Sequence, residues 1–137
     1  MSLSILHLGN EIQLRDTLSS ELIGSLNYSI DNGIAHLLYL EVYDEYKGKG
    51  YSYILLYNFA TLLHNNEIKK IQLDDCSDNA LNYPPSRTRS GRTWNCNNVY
   101  ANIGCEAEEG YPSAERICKV DKAIKQLKRL LREKGLI

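Results

Sequence analysis

The first third of the chain carries apolar residues with a period of two. Leu3 to Leu8 is short and apolar enough for a strand, and the polar stretch from Asn10 to Ser20 has room for one short helix. From Glu21 to Ile30, Leu22, Gly24, Leu26, Tyr28 and Ile30 fall on alternate positions. Asp31-Asn32-Gly33 tolerates positive φ, and Ile34 to Val42 follows, so the pattern predicts a hairpin. The second strand is apolar on both faces through Leu37, Leu38, Tyr39 and Leu40, as suits a central strand covered on both sides. A polar turn, Asp44 to Gly50, leads into Tyr51–Leu63, whose apolar positions 51, 55, 59, 62 and 63, flanked by 54, 56 and 60, predict a helix with a wide buried stripe. His64-Asn65-Asn66 ends it, with asparagine as a left-handed cap, and Lys70 to Asp75 alternates as a further strand around Ile71 and Leu73.

The periodicity then breaks. Pro84-Pro85, Gly91 and many small polar residues mark 79–97 as an inserted loop of the kind that is functional or mobile. Asn98 to Glu106 reads as a helical turn running into a strand. The last element, 121–134, is an amphipathic helix carrying Ile124, Leu127 and Leu131 on one face, with Gly135 beyond its end. The elements sum to an α/β domain spanning 1–137, and 137 residues at 43% hydrophobic and 24% charged are enough for one core without staples.

Cys76, Cys96, Cys105 and Cys118 show no C-x-x-C pair and no regular spacing, so neither a metal site nor a disulfide framework is signalled, and reduced thiols are expected. Without a basic n-region, a long apolar core or an 18-residue apolar run, the chain reads as intracellular (cytoplasmic or nuclear), with no membrane contact. The net charge of −1 conceals a division. From Arg116 onward eight Lys or Arg stand against Asp121 and Glu133, whereas the preceding body is strongly acidic. Such a tail can contact nucleic acid, but a solvated helix face docked on the body accounts for it equally and is the reading adopted. Monomer and homodimer are both left open.

The candidate chemistry centres on Lys47-Gly48-Lys49-Gly50, where a strand ends in a glycine-bearing turn that opens a helix. Helix-initiating N–H groups and the positive end of the helix dipole meet there, with two lysines beside them, and glycines let an anion approach the backbone. A plain tight turn has the same spacing. The order of elements, however, resembles the GNAT superfamily of N-acetyltransferases, whose signature places a Gln/Arg-x-x-Gly-x-Gly/Ala loop between a strand and a helix. Glu45-Tyr46-Lys47-Gly48-Lys49-Gly50 matches it, with Glu45 in place of Gln or Arg. Downstream, Tyr100-Ala101-Asn102-Ile103-Gly104-Cys105 resembles the family's Tyr-x-x-x-Gly-Phe, with Cys105 in place of Phe. The resemblance covers residues 21 to 106, and Leu73 to Asp78 followed by Asn98-Val99-Tyr100 looks like short GNAT-like proteins of large DNA viruses.

The resemblance implies a mixed central sheet with helices on both faces, a shortened N-terminal region, and acetyl-CoA or CoA lying between two strands that splay apart after Val42. It implies that Val42, Tyr43, Lys47, Gly48, Lys49, Gly50, Tyr51 and Ser52 hold the cofactor, that Tyr100 returns a proton to the departing thiol, and that Glu41 deprotonates an amine acceptor of unknown identity, with no metal. His7, His36 and His64 read as core or surface residues, His36 sharing a face with Leu38 and Leu40. Asp74, Asp75 and Asp78 read as turn caps. Arg87, Arg89, Arg92 and Trp94 can grip a nucleotide or simply solubilise the loop. Opposed to an acetyltransferase stands a non-catalytic module of the same fold, binding CoA, a protein or a nucleic acid.

Overall fold

A computed structural model describes residues 2–74, 99–107 and 115–137; the inserted loop, Cys76, Cys96, Asp75, Asp78 and the Arg87–Trp94 cluster lie outside them. One seven-stranded sheet of order β1-β2-β3-β4-β5-β7-β6 organises these residues. Its strands are β1 (Leu3–Leu8), β2 (Glu11–Asp16), β3 (Leu22–Asp31), β4 (Ile34–Val42), β5 (Lys70–Asp74), β6 (Glu106–Ala107) and β7 (Glu115–Lys119). The β4–β5 pair is parallel and every other pair antiparallel, so the sheet is mixed as anticipated. The helices are α1 (Tyr51–Asn65), the single turn α2 (Val99–Asn102) and α3 (Val120–Glu133).

The helix expected between Asn10 and Ser20 is instead β2. Glu11-Ile-Gln-Leu-Arg-Asp alternates with period two, and Ile12 and Leu14 are fully buried beneath α1. The β3–β4 turn is as expected, with Asn32 and Gly33 both at positive φ (52° and 76°), which a two-residue hairpin turn demands. At the end of α1 the left-handed residue is Glu67 (φ 62°) and not Asn66, whose φ is −102° and whose Nδ2 donates back to the Leu62 carbonyl.

α1 buries Leu55, Leu56, Phe59, Ala60 and Leu63 against β2, β3 and β4, and the Phe59 ring lies 5.0 Å from that of Tyr28. α3 runs back alongside α1, burying Val120, Ala123, Leu127 and Leu131, while Ile124 is only half-buried. Each fully buried Leu or Phe contributes about 1.5–3 kcal/mol through apolar area removed from water.

β7 was not foreseen, because Glu-Arg-Ile-Cys-Lys places a charged residue at a core position: Arg116 is buried along with Cys118 and Val120 on alternate positions. The expectation that all thiols are reduced is also corrected. Pairing of β6 with β7 sets Glu106 opposite Ile117, which brings the neighbouring Cys105 and Cys118 together, with Cα atoms 4.3 Å apart, as a disulfide. That proximity arises from sheet pairing and leaves no mark in cysteine spacing.

β3 approaches the end of β4 closely at Gly24. A Cβ there would lie 2.5 Å from the Glu41 carbonyl oxygen and 3.2 Å from the Leu55 side chain. The carbonyl belongs to the backbone and cannot rotate away, so Gly24→Ala should destabilise the fold by about 1–3 kcal/mol, read as a lower midpoint in urea denaturation at unchanged m-value.

Candidate functional site

Among the described residues β4 and β5 pair from Ile34↔Lys70 to Leu37↔Leu73, and β4 runs on to Val42. At that point β4 carries an extra residue. Asn27 pairs with Tyr39 and Tyr28 with Leu37, so Leu38 is a bulge. A bulge bends the strand and re-aims its side chains. His36 therefore does not share an alternation with Leu38 and Leu40.

A cavity of about 840 Å³ opens beside this part of β4. Leu37 to Leu40 and Val42 of β4 and Leu73 of β5 form one wall; Lys47, Gly48, Gly50, Tyr51, Ser52 and Tyr53 form the second; Val99, Tyr100 and Asn102 of α2 and Leu130 and Lys134 at the end of α3 complete it. This corrects the reading of β4 as covered on both faces. Leu38 is 65% and Tyr39 49% exposed, because their side chains line a cavity.

The glycine loop is built by a short 3-10 turn, Asp44–Tyr46, which buries the Tyr46 ring 6.4 Å from that of Tyr51. Gly48 and Gly50 then adopt φ of 81° and 85°, a region closed to side chains at ordinary cost. At Gly50 the space is also taken, since a Cβ would meet Lys134 Cδ at 2.7 Å and Leu136 Cδ1 at 3.0 Å. Gly50 caps α1 without any side-chain cap bond, and no acidic residue occupies the first turn. The positive end of this 15-residue helix is thus directed at the cavity rim with no resident carboxylate to neutralise it.

α2 is tied to this wall through Tyr53, whose hydroxyl accepts a bond from Asn102 Nδ2 at 3.0 Å and whose ring lies 5.8 Å from Lys134 Nζ. The Tyr100 carbonyl accepts the N–H groups of Ile103 and Cys105, closing a turn around Gly104 (φ 92°). The disulfide then fixes Cys105 to β7.

Of the residues anticipated for the site, Val42, Lys47, Gly48, Gly50, Tyr51, Ser52 and Tyr100 line the one cavity together. Tyr43, Lys49 and Glu41 do not. Tyr43 caps the 3-10 turn and donates its N–H to Ile23. Glu41, half-buried and opposite Ser25, is hydrogen-bonded with the phenol of Tyr39; that bond, with lesser desolvation and the carboxylate's charge, raises the Tyr39 pKa. Glu41 therefore communicates with the cavity through Tyr39. None of the three histidines lines the cavity, and His64 pairs instead with Asp121 at 3.4 Å. Sequence reasoning missed Tyr39, Tyr53, Asn102, Leu130 and Lys134. Only the exposed apolar run of β4 carried a signal, and it was read as core.

No family model and no curated protein matches the chain. Solved structures do. The GNAT family N-acetyltransferase YhbS of Escherichia coli, in complex with CoA, superposes with a TM-score of 0.56 at 17% identity, over 83% of this chain and 61% of its own. The PaiA N-acetyltransferase of Thermoplasma acidophilum, in complex with coenzyme A, gives 0.58 at 21% identity, over 80% and 59%. The structure of the KacTA–DNA complex gives 0.54 at 12%, over 90% and 72%. The chain thus has the GNAT fold, and spans about three fifths of the length of the first two structures. The likeness to short viral proteins gains no support from them.

The buried Tyr46 anchor gives a pH signature. Desolvation, followed by its bond with Glu21, pushes its phenol up to about 12, whereas an unfolded tyrosine titrates near ~10. The folded state keeps the proton longer, so this contribution is complete below pH ~10 and disappears as pH rises through about 12. Denaturation at stepped pH should show the stability difference between the wild type and Tyr46→Phe shrinking across that window.

Proposed function

We propose that the chain binds an acyl-coenzyme A in this cavity and catalyses transfer of the acetyl group to a primary amine. The observation that carries the reading is the joining, in one cavity, of the β4 strand beyond its pairing with β5 and a helix N-terminus without a side-chain cap or a first-turn acid.

The residues fit the ligand. Gly48, beside which there is open space, and the first turn of α1 beyond Gly50 line the cavity rim and offer backbone N–H groups suited to a diphosphate. Lys47 and Lys134 line the same rim and add positive charge. Among the described residues the edge of β4 beyond Leu37 has no β5 partner and offers backbone donors and acceptors to the amide-bearing arm of the ligand, as far as Val42. Bound acyl-CoA supplies an activated thioester. The chain's own residues hold it, exclude water with Leu38, Leu40 and Leu73, and move protons.

Tyr100 is the residue that returns a proton to the departing sulfur. A phenol with a pKa near ~10 is protonated at neutral pH and can donate to a thiolate whose acid has a pKa near ~8.5. Glu41 accepts the proton of the amine through Tyr39. A second reading, a CoA-binding module without catalysis, draws on one observation: Glu41 does not itself line the cavity.

Two measurements separate these. CoA at a hundred times its dissociation constant should stabilise the protein by about 2.7 kcal/mol, and Gly50→Val should remove that effect while the protein stays folded. Absence of any stabilisation by CoA would sink both readings. Tyr100→Phe should bind CoA as the wild type does yet lose roughly a hundredfold in turnover on an amine acceptor. Turnover near wild type would remove Tyr100 from the mechanism.

A further inference from the structure

Away from the acyl-CoA cavity, a second depression of about 490 Å³ is lined by Lys69, Lys70, Lys119, Lys122, Lys125 and Asp121. It lies where β5 begins, β7 ends and α3 starts, held together by the bond from the Val120 N–H to the Lys69 carbonyl. Three placements here oppose the local electrostatics. Lys70 and Lys119 are directly paired across the β5–β7 ladder, where like charges destabilise. Lys122 and Lys125 stand three apart on one helix face, again like against like. Lys122 also falls in the first turn of α3, where the helix dipole disfavours cations; that turn has a single acid, Asp121, which meets His64. All five lysines are exposed, so no burial in the core repays the repulsion. Locally unfavourable choices concentrated at one place mark a surface shaped by binding.

We infer that this surface binds the phosphate backbone of nucleic acid without regard to base sequence. Among the described residues its lining consists of ammonium groups and one carboxylate, with no aromatic ring to stack a base and no Arg, Asn or Gln to read a base edge. Those described residues also include no apolar or aromatic centre on which a protein partner would anchor. The positive charge continues along the exposed side of α3 through Lys128, Arg129 and Arg132, a stripe of roughly 20 Å for a 14-residue helix, which suits a polymer of regularly spaced phosphates. The inference is independent of acyl transfer, since the two cavities share no lining residue.

The test is fluorescence anisotropy of the full chain with a labelled duplex of about 20 base pairs, in mixed and scrambled sequence. Both duplexes should bind equally. If five phosphates are neutralised, the logarithm of affinity should fall with that of salt at a slope of about −4.5, which is roughly 500-fold between 50 and 200 mM. Lys70→Gln with Lys119→Gln should lower the magnitude of the slope by about 2 and, by relieving the cross-strand repulsion, raise the thermal midpoint. No binding at 50 mM salt, or a slope unchanged in the double variant, would overturn the inference. Displacement by poly-glutamate as effectively as by unlabelled duplex at equal charge would also overturn it, assigning the surface to acidic proteins.

Discussion

The point on which the architecture turns is the end of pairing between β4 and β5 at Leu37 and Leu73. Backbone polar groups in a sheet interior require partners, so a parallel pair that stops while one strand runs on to Val42 must supply them some other way. The bulge at Leu38 accompanies that stop and turns apolar side chains toward the gap. Apart from that bulge the β3–β4 pair continues to Gly24↔Val42, and β5–β7 pairs to Asp74↔Glu115, so the sheet flanks the cavity on both sides. Gly24 lets β3 approach β4 beneath the gap, and α1 and α3 carry the glycine loop, Leu130 and Lys134 to its rim. What the sheet gives up in hydrogen bonding at one place becomes a cavity with fixed walls.

Much of this was legible in the sequence, and the failures have physical causes. A strand with alternating apolar positions (22–31), the apolar run of 34–42 and the positive-φ turn between them announce themselves, as does the stripe of α1. The glycine loop was legible because Gly-x-Gly before a helical stripe restricts backbone geometry locally. What escaped depended on contacts distant in the chain. β7 hides behind a buried arginine. The Cys105–Cys118 disulfide is a product of the β6–β7 register. Lys134 reaches Gly50 only because α3 lies antiparallel to α1. The bulge at Leu38 was concealed most completely, since an apolar run lining a cavity and one lining a core have the same composition.

α3 shows how a single element can answer to different demands along its length. Leu127 and Leu131 face α1 and give the helix its position. At its C-terminal end the charges obey the dipole: Arg132 lies in the last turn, and Lys134 just beyond it reaches the ring of Tyr53. Arg129 bonds to Glu133 at 2.8 Å, an exposed i,i+4 pair worth about 0.3–0.5 kcal/mol. These placements favour the helix itself, and stability alone would select them.

The N-terminal end follows the opposite logic. There Lys122 works against the dipole and against Lys125, and Lys70 faces Lys119 across the sheet. Each penalty is a few tenths of a kcal/mol, small beside the burial of Leu127 yet cumulative. The contrast within one helix bears on the interpretation of the basic tail. Had its positive charge served only to solvate the outer face of α3, it would have been equally well placed, and less costly, toward the C-terminal turns. The charge instead runs the whole length of the exposed face, from Lys122 to Arg132, and includes the end where the dipole opposes it, which argues for an extended anionic partner.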